Sequence, residues 1–303
     1  MIDKLLSQLS EDGPLMLLFH GVVKENDYEV RNMIRKHIEQ DYFADILKAL
    51  KSNGTALSVD DVVEIRTKGD SYPKNSFVVT FDDGFENNSS VAAPILDDLQ
   101  IPSVFYITSD FVENGTMSWT DKAEYALEKT PQGKLEFEWA KGPITFSDTK
   151  EKQEAMSYLR SYVFQNPSIN VHDLIDDIYE QLGIPLVQTT DDPLDKKMSW
   201  KQVSDMHNHD LFTIGGHTHT HIVMAFEPPD VMEEEIDTNL NMLDAKAGIK
   251  TTHFAYPQGQ SNHYNDAVIA SLKARGIVCC PTAIEGHNTR DTGLFHLYRT
   301  MVV

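Results

Sequence analysis

Two short stretches of this 303-residue chain gather side chains able to do chemistry. In Val78-Val79-Thr80-Phe81-Asp82-Asp83-Gly84, an apolar, β-branched run stops at two adjacent carboxylates and a glycine. In His217-Thr218-His219-Thr220-His221, imidazoles recur at alternate positions just after a short apolar run and Gly215-Gly216. Adjacent carboxylates repel, so a strand that delivers both to one point calls for a compensating cation. One carboxylate and two imidazoles can hold a divalent metal and leave a coordination position for water. The second carboxylate is then placed to take a proton from that water, which is the skeleton of a metal-assisted hydrolase. Asp-Gly by itself is a common turn pair, and it is the histidines that favour the metal. In extended backbone all three rings share a face, whereas a turn after Gly215-Gly216 lets only two reach one centre. The intervening threonines can support ring N–H groups. His207 and His209, just upstream, read as a helix end and its loop.

Short apolar runs alternate with helical patterns along most of the chain, which argues for parallel strands joined by crossover helices. Strands are expected at 14–19, 56–57, 76–81, 103–108, 211–214, 252–256, 277–280 and 295–303. Helices are expected at 37–52, 88–100, 230–246 and 263–275. Ser58, with Asp61 three residues on, marks the start of another short helix, and Ser199 with Gln202 resembles a capping box. From about 115 to 197 the rhythm breaks: a hairpin of 134–138 against 143–146, helices at 150–164 and 170–182, then a polar loop. This region reads as an insertion or lid on one α/β domain spanning 1–303. In α/β barrels the strand C-termini carry the active site, and Asp82-Asp83-Gly84 sits at such an end.

Composition is that of an ordinary globular protein, and 26 basic against 47 acidic residues give a net charge of −21. Such a chain repels nucleic acid and anionic membrane, so neither is expected as a partner. No apolar stretch approaches membrane-spanning length, and no export signal is legible at the N-terminus. The two cysteines, Cys279 and Cys280, are neighbours inside a strand-like run and read as small core residues, which implies a reducing, cytoplasmic location.

Thr80-Phe81-Asp82-Asp83-Gly84 and His217-Thr218-His219-Thr220-His221 resemble the first two motifs of the polysaccharide deacetylase family (carbohydrate esterase family 4), T-F-D-D-G and H-S/T-x-x-H. Phe254-Ala255-Tyr256-Pro257-Gln258-Gly259 resembles an F-A-Y-P-x-G version of the third. Met198-Ser199-Trp200 and the flanks of each motif share the family's look, and the resemblance runs from about Leu15 to Val303. It implies a distorted (β/α) barrel and hydrolysis of an acetamide on an N-acetylated sugar. By the family pattern Asp82 is the general base, Asp83, His217 and His221 hold the metal, and His219 falls on an unconstrained position. The implied chemistry is attack of water on a metal-polarised carbonyl, with Asp82 taking the proton and an acid protonating the departing amine.

Two histidines compete for that acid. His296, in Leu294-Phe295-His296, fits the family's C-terminal L-x-H motif, but strand-like residues follow it. His20 ends the first strand and resembles members whose motifs are circularly permuted; it is the favoured candidate. The usual third motif, R-x-P-Y, supplies an arginine that orients the base. Aligned on Pro257, that position is Ala255, so Arg299 in the C-terminal strand is expected to take its place. Gln258 stands where the motif has the tyrosine that marks the usual oxyanion donor. Trp139 reads as an exposed sugar-stacking residue at the hairpin turn, while Trp119 and Trp200 read as helix-start core residues. Zinc is the expected metal, although cobalt, nickel, manganese and iron tolerate the same ligands. The expected function is removal of an N-acetyl group from a saccharide or its biosynthetic intermediate. The alternatives are a deformylase, a cyclic amidase, or a non-catalytic saccharide-binding protein. Oligomeric state is not legible.

Overall fold

A computed structural model describes residues 1–166 and 169–303. Its strands are β1 (Leu15–Phe19), β2 (Gly21–Val23), β3 (His37–Glu39), β4 (Thr55–Ala56), β5 (Ser76–Phe81), β6 (Ser103–Ile107), β7 (Gly133–Leu135), β8 (Ile144–Phe146), β9 (Phe212–Gly216) and β10 (Thr300–Met301). The central sheet runs β10-β1-β5-β6-β9, with β4 paired to the start of β5, and every pairing in it is parallel. Single parallel bridges, Gly216 to Phe254 and His253 to Cys279, carry it further round. Between Cys280 and β10 only scattered backbone hydrogen bonds remain, such as Thr282 N–H to the Leu297 carbonyl and Arg299 N–H to that of Ile284. The result is an α/β fold with a curved parallel sheet that does not close as a regular barrel.

Alternation along the strands sorts their side chains onto two faces. Leu15, Leu17 and Phe19 of β1, with Phe77, Val79 and Phe81 of β5, pack outward against the helix Gln40–Asn53 through Phe43, Ile46, Leu47 and Leu50. Phe19, Phe81 and Phe105 are cross-strand neighbours and stack, with ring centroids 5.4 and 4.9 Å apart. Met16, Val78, Val104 and Tyr106 point the other way, into a second cluster with Ala255, Cys279 and Leu297. Asp82 follows Phe81, so the same alternation turns its carboxylate inward at the top of β5.

Elements differ from the sequence reading where one residue type interrupts a ladder. The expected helix at 37–52 begins only at Gln40, because 37–39 pair with β2 as a short parallel strand. The helix expected over 88–100 opens with a π-turn, Asn88–Ala92, before the α-helix Ala93–Asp98. Pro94 lacks the N–H that would close an α-turn onto Ser90, and a wider turn absorbs the gap. The expected strands at 252–256 and 277–280 shrink to single bridges, and Pro257 and Pro281, which cannot donate to a ladder, stop either from running further. Of 295–303 only Thr300–Met301 pairs as a strand.

The insertion has the expected hairpin, narrowed to β7 against β8, and the helices Thr149–Gln165 and Val171–Leu182. A further helix, Trp119–Lys129, starts on a Ser118–Asp121 capping box. These elements enclose their own apolar cluster around Leu127, Leu135, Phe146, Met156, Leu159 and Ile178. No helix among the described residues is long and apolar enough to cross a membrane.

Candidate active site

Asp82, Asp83, His20 and His217 all directly follow strand ends: β1 delivers His20, β5 the acidic pair, and β9 His217. These ends lie side by side because Phe19 pairs with Phe81 and Ile107 with Gly216. The ladder continues one step past each end. Asp82 N–H donates to the Phe19 carbonyl at 3.0 Å, and His217 N–H to that of Ile107 at 3.0 Å. Asp83 then adopts φ 78°, which breaks the alternation and turns its carboxylate toward the histidines. Thr218 and His221 also hold positive φ, at 61° and 64°, so the histidine loop is forced into left-handed turns by what surrounds it. One surrounding group is the buried Asn239, whose amide donates to the carbonyls of Ile107 and Thr218 at 2.9 and 2.7 Å. Gly216 is required beneath it: a Cβ there would lie 2.5 Å from Asn239 Oδ1 and from the Phe254 ring.

Asp83, His217 and His221 offer ligand atoms that all lie within 4.8 Å of one another. His221 Nε2 is 3.3 Å from Asp83 Oδ1, and His217 Nε2 is 3.8 Å from it. His217 Nδ1–H donates to the Ala255 carbonyl at 2.8 Å, which leaves Nε2 as a lone-pair donor facing the carboxylates. Asp83 Oδ1 is buried and has no hydrogen-bond partner among the described residues. Burial pushes His221 down to about 4 against the pull of Asp83, so its ring is neutral and free to ligate. Burial alone would raise Asp83, but Lys36, His221, His20 and His217 overcome it and hold the carboxyl far below its ordinary value. An orphaned oxygen facing two imidazoles, with one nitrogen already oriented, fits a divalent metal. His219 turns away: its Nδ1 is 2.9 Å from Ser109 Oγ.

Asp82 is 4 % exposed and is gripped by Arg299, itself 1 % exposed, through two parallel bonds: Nη1 to Oδ1 at 2.7 Å and Nη2 to Oδ2 at 2.8 Å. Arg299 is fixed in turn by the Thr282 carbonyl at 2.6 Å and Thr80 Oγ1 at 3.1 Å. Burial disfavours the Asp82 carboxylate, yet Arg299, with His217 and His20, outweighs it and holds its pKa below the ordinary carboxylate value. The carboxylate is thus aimed by a bidentate clamp of the kind carboxylate–guanidinium geometry favours.

One pocket is lined by Asp82, Asp83, His217, His221 and His20, together with Gln258 and Tyr256. Burial depresses the His20 imidazole, with Asp83 and Asp82 partly restoring it. The structure does not bring His296 here; it is exposed, with Tyr264 Oη 3.0 Å from its Nδ1. Lys36, which no motif flagged, lines the pocket and reaches Asp83 Oδ2 at 3.4 Å and Asp121 Oδ1 at 3.2 Å. The insertion supplies Ser118, Trp119, Thr120, Arg160 and Phe164 to the same pocket. Trp119 therefore starts its helix as expected but faces the pocket. Trp200 bonds Glu113 at 2.6 Å, and Trp139 is stacked on Tyr162 at 3.6 Å; neither lines it.

This fold and strand-end site define an α/β protein with a candidate metal centre at its strand C-termini, and comparison with known proteins gives the class its name. Residues 69–279 match the polysaccharide deacetylase family model, and the chain belongs to that family. It is a carbohydrate deacetylase, an amide hydrolase of carbohydrate esterase family 4. The fold is shared with a Streptococcus pyogenes deacetylase, PplD, solved in complex with acetate (18% identity, TM-score 0.62, 96% of this chain and 92% of that one). It is shared also with IcaB from Ammonifex degensii (18%, TM-score 0.60, 98% and 94%). The BpsB deacetylase domain from Bordetella bronchiseptica is a third (15%, TM-score 0.57, 96% and 97%). A search of curated proteins finds no match.

Proposed function

We propose that the chain removes the N-acetyl group from an amino sugar or a saccharide intermediate, using one divalent metal, zinc foremost. The observation that carries this reading is the buried, unpartnered Asp83 Oδ1 facing His217 and His221 in the pocket that also holds the clamped Asp82. An ion held by Asp83, His217 and His221 would supply Lewis-acid polarisation of the amide carbonyl and activation of water. Asp82, ionised and aimed by Arg299, accepts a proton from the attacking water as its oxygen bonds to the carbonyl carbon. His20, from the neighbouring strand end, donates a proton to the amide nitrogen as the C–N bond breaks, leaving acetate and a free amine. Lys36 engages Asp83 Oδ2, which keeps the other oxygen turned to the histidines. Lys36 also ties the site to the insertion through Asp121.

Arg299 does for Asp82 what the motif arginine does elsewhere in the family, from a different strand, and this supports the F-A-Y-P-x-G form of the third motif as a coherent variant. The test is Asp82→Asn on a panel of N-acetyl, N-formyl and O-acetyl sugars. Loss of N-deacetylation by on the order of a hundredfold or more with metal content unchanged is the expected result. Turnover that survives the substitution, or a wild type that acts only on N-formyl or O-acetyl sugars, sinks the reading.

A further inference from the structure

The insertion places one uncommitted cation in the catalytic pocket. Arg160, near the end of the helix Thr149–Gln165, lines the same pocket as Asp82, Asp83 and His20. The other deeply placed arginines are committed: Arg31 to Asp195, and Arg299 to Asp82. Arg160 donates no hydrogen bond and has no carboxylate within 4.0 Å among the described residues. Its nearest acids, Glu124 and Asp121, act only at a distance. Both are occupied elsewhere: Asp121 by Lys36, and Glu124 by the Asn32 N–H at 2.9 Å. Lys36, the other cation in the pocket, already bridges Asp83 and Asp121.

A half-buried guanidinium without an anion is costly, and a chain of net charge −21 has carboxylates to spare for pairing it. None is supplied. Beside Arg160 stands Phe164, its ring centroid 5.7 Å from the guanidinium carbon and 47% exposed, and Trp119 lines the same pocket. A planar fork of donors beside one aromatic face, in a pocket lined by a second aromatic, suits an anion carried on a sugar ring: the fork takes two oxygens, and the aromatics take the ring's apolar face.

Resting on the deacetylase reading above, we propose that Arg160, with Phe164 and Trp119, forms a subsite for a carboxylate or phosphate on the N-acetylated saccharide. The natural substrate is then an acidic sugar rather than a neutral one.

The test compares N-acetylglucosamine, N-acetylmuramic acid and N-acetylglucosamine 6-phosphate on the metal-loaded full chain. The expected result is a kcat/KM for at least one acidic sugar about tenfold or more above that of the neutral one, as a charge-assisted pair implies. Which acidic sugar leads tells carboxylate from phosphate. In Arg160→Gln that ratio should fall toward one through KM, with Arg160→Lys between. A wild type that prefers the neutral sugar, or a preference that survives in Arg160→Gln, overturns the proposal. Calorimetric titration of both acidic sugars decides it even if no acetate is released, an outcome that would count against the deacetylase reading alone. Affinity about tenfold weaker in Arg160→Gln supports the subsite, and equal or absent binding in wild type and variant overturns it. Thermal melts of both variants confirm that they fold.

Discussion

Asp82 is useful as a base only if its lone pairs point at one place, and two bonds from Arg299 see to that. Arg299→Lys keeps a charge but loses the fork, so kcat should fall on the order of tenfold to a hundredfold while bound metal stays constant. Steady-state kinetics beside elemental analysis checks this, and unchanged kcat would remove Arg299 from the orienting role. The two candidate acids separate just as cleanly. His20→Gln should lower kcat on the order of a hundredfold, whereas His296→Gln, altered at an exposed ring beside Tyr264, should leave it within about twofold. Equal effects would contradict the assignment. The cluster proposed as metal ligands and base was legible in the sequence because each motif compresses its chemistry into five adjacent residues. Arg299 was reachable only as the nearest arginine in the closing strand. Lys36 gave no signal, since its partners Asp83 and Asp121 lie far along the chain and no periodicity encodes such a contact, and Arg160 gave none because no paired carboxylate marks it.

Strands set the spacing of the site, and the histidine loop then departs from strand geometry under restraint. Asn239, on the helix Pro229–Ala247, is that restraint, because its amide satisfies the carbonyls of Ile107 and Thr218. Asn239→Ala orphans two buried acceptors, so stability should drop by about 1–3 kcal/mol and metal affinity should weaken with it. Urea unfolding and metal titration read the two effects; a variant of wild-type stability and affinity would show that the loop holds itself. Local elements were the readable ones: β5 was placed to the residue, and the Ser58–Asp61 and Ser199–Gln202 capping boxes close on themselves within one turn. The strands before Pro257 and Pro281 were overcalled, because an apolar run shows where a strand belongs and not how many residues keep register with a neighbour. Ser118–Asp121 has the same capping pattern but lies where the alternating rhythm had already been lost, so of the helix it starts only the first residue, Trp119, was legible.

For the whole molecule, the insertion and the sheet share one buried set of charges. Arg31 pairs with Asp195, Lys36 joins Asp83 to Asp121, and Lys197 lies over the Phe85 ring at 3.6 Å, pushed down to about 8 by burial. Glu124 sits among them, raised from 4.5 to about 7 by burial and by Asp121. The folded chain therefore holds that proton more tightly than the unfolded one. The stability it confers is fully present below the unfolded value and is lost as pH rises through about 7. Glu124→Gln, neutral throughout, should flatten the decline between about pH 5 and pH 8 by on the order of 2 kcal/mol, read from urea midpoints. Parallel pH profiles in the two proteins would place the charge elsewhere. The proposed roles rest on one proposed event, capture of a divalent ion by Asp83, His217 and His221, and elemental analysis of wild type and His217→Ala purified side by side tests it most directly. The expected result is about one divalent metal per wild-type chain, lost together with N-deacetylation in the variant. A wild type that releases acetate from N-acetylated sugars yet takes up no metal, even after incubation with zinc or cobalt, would contradict it.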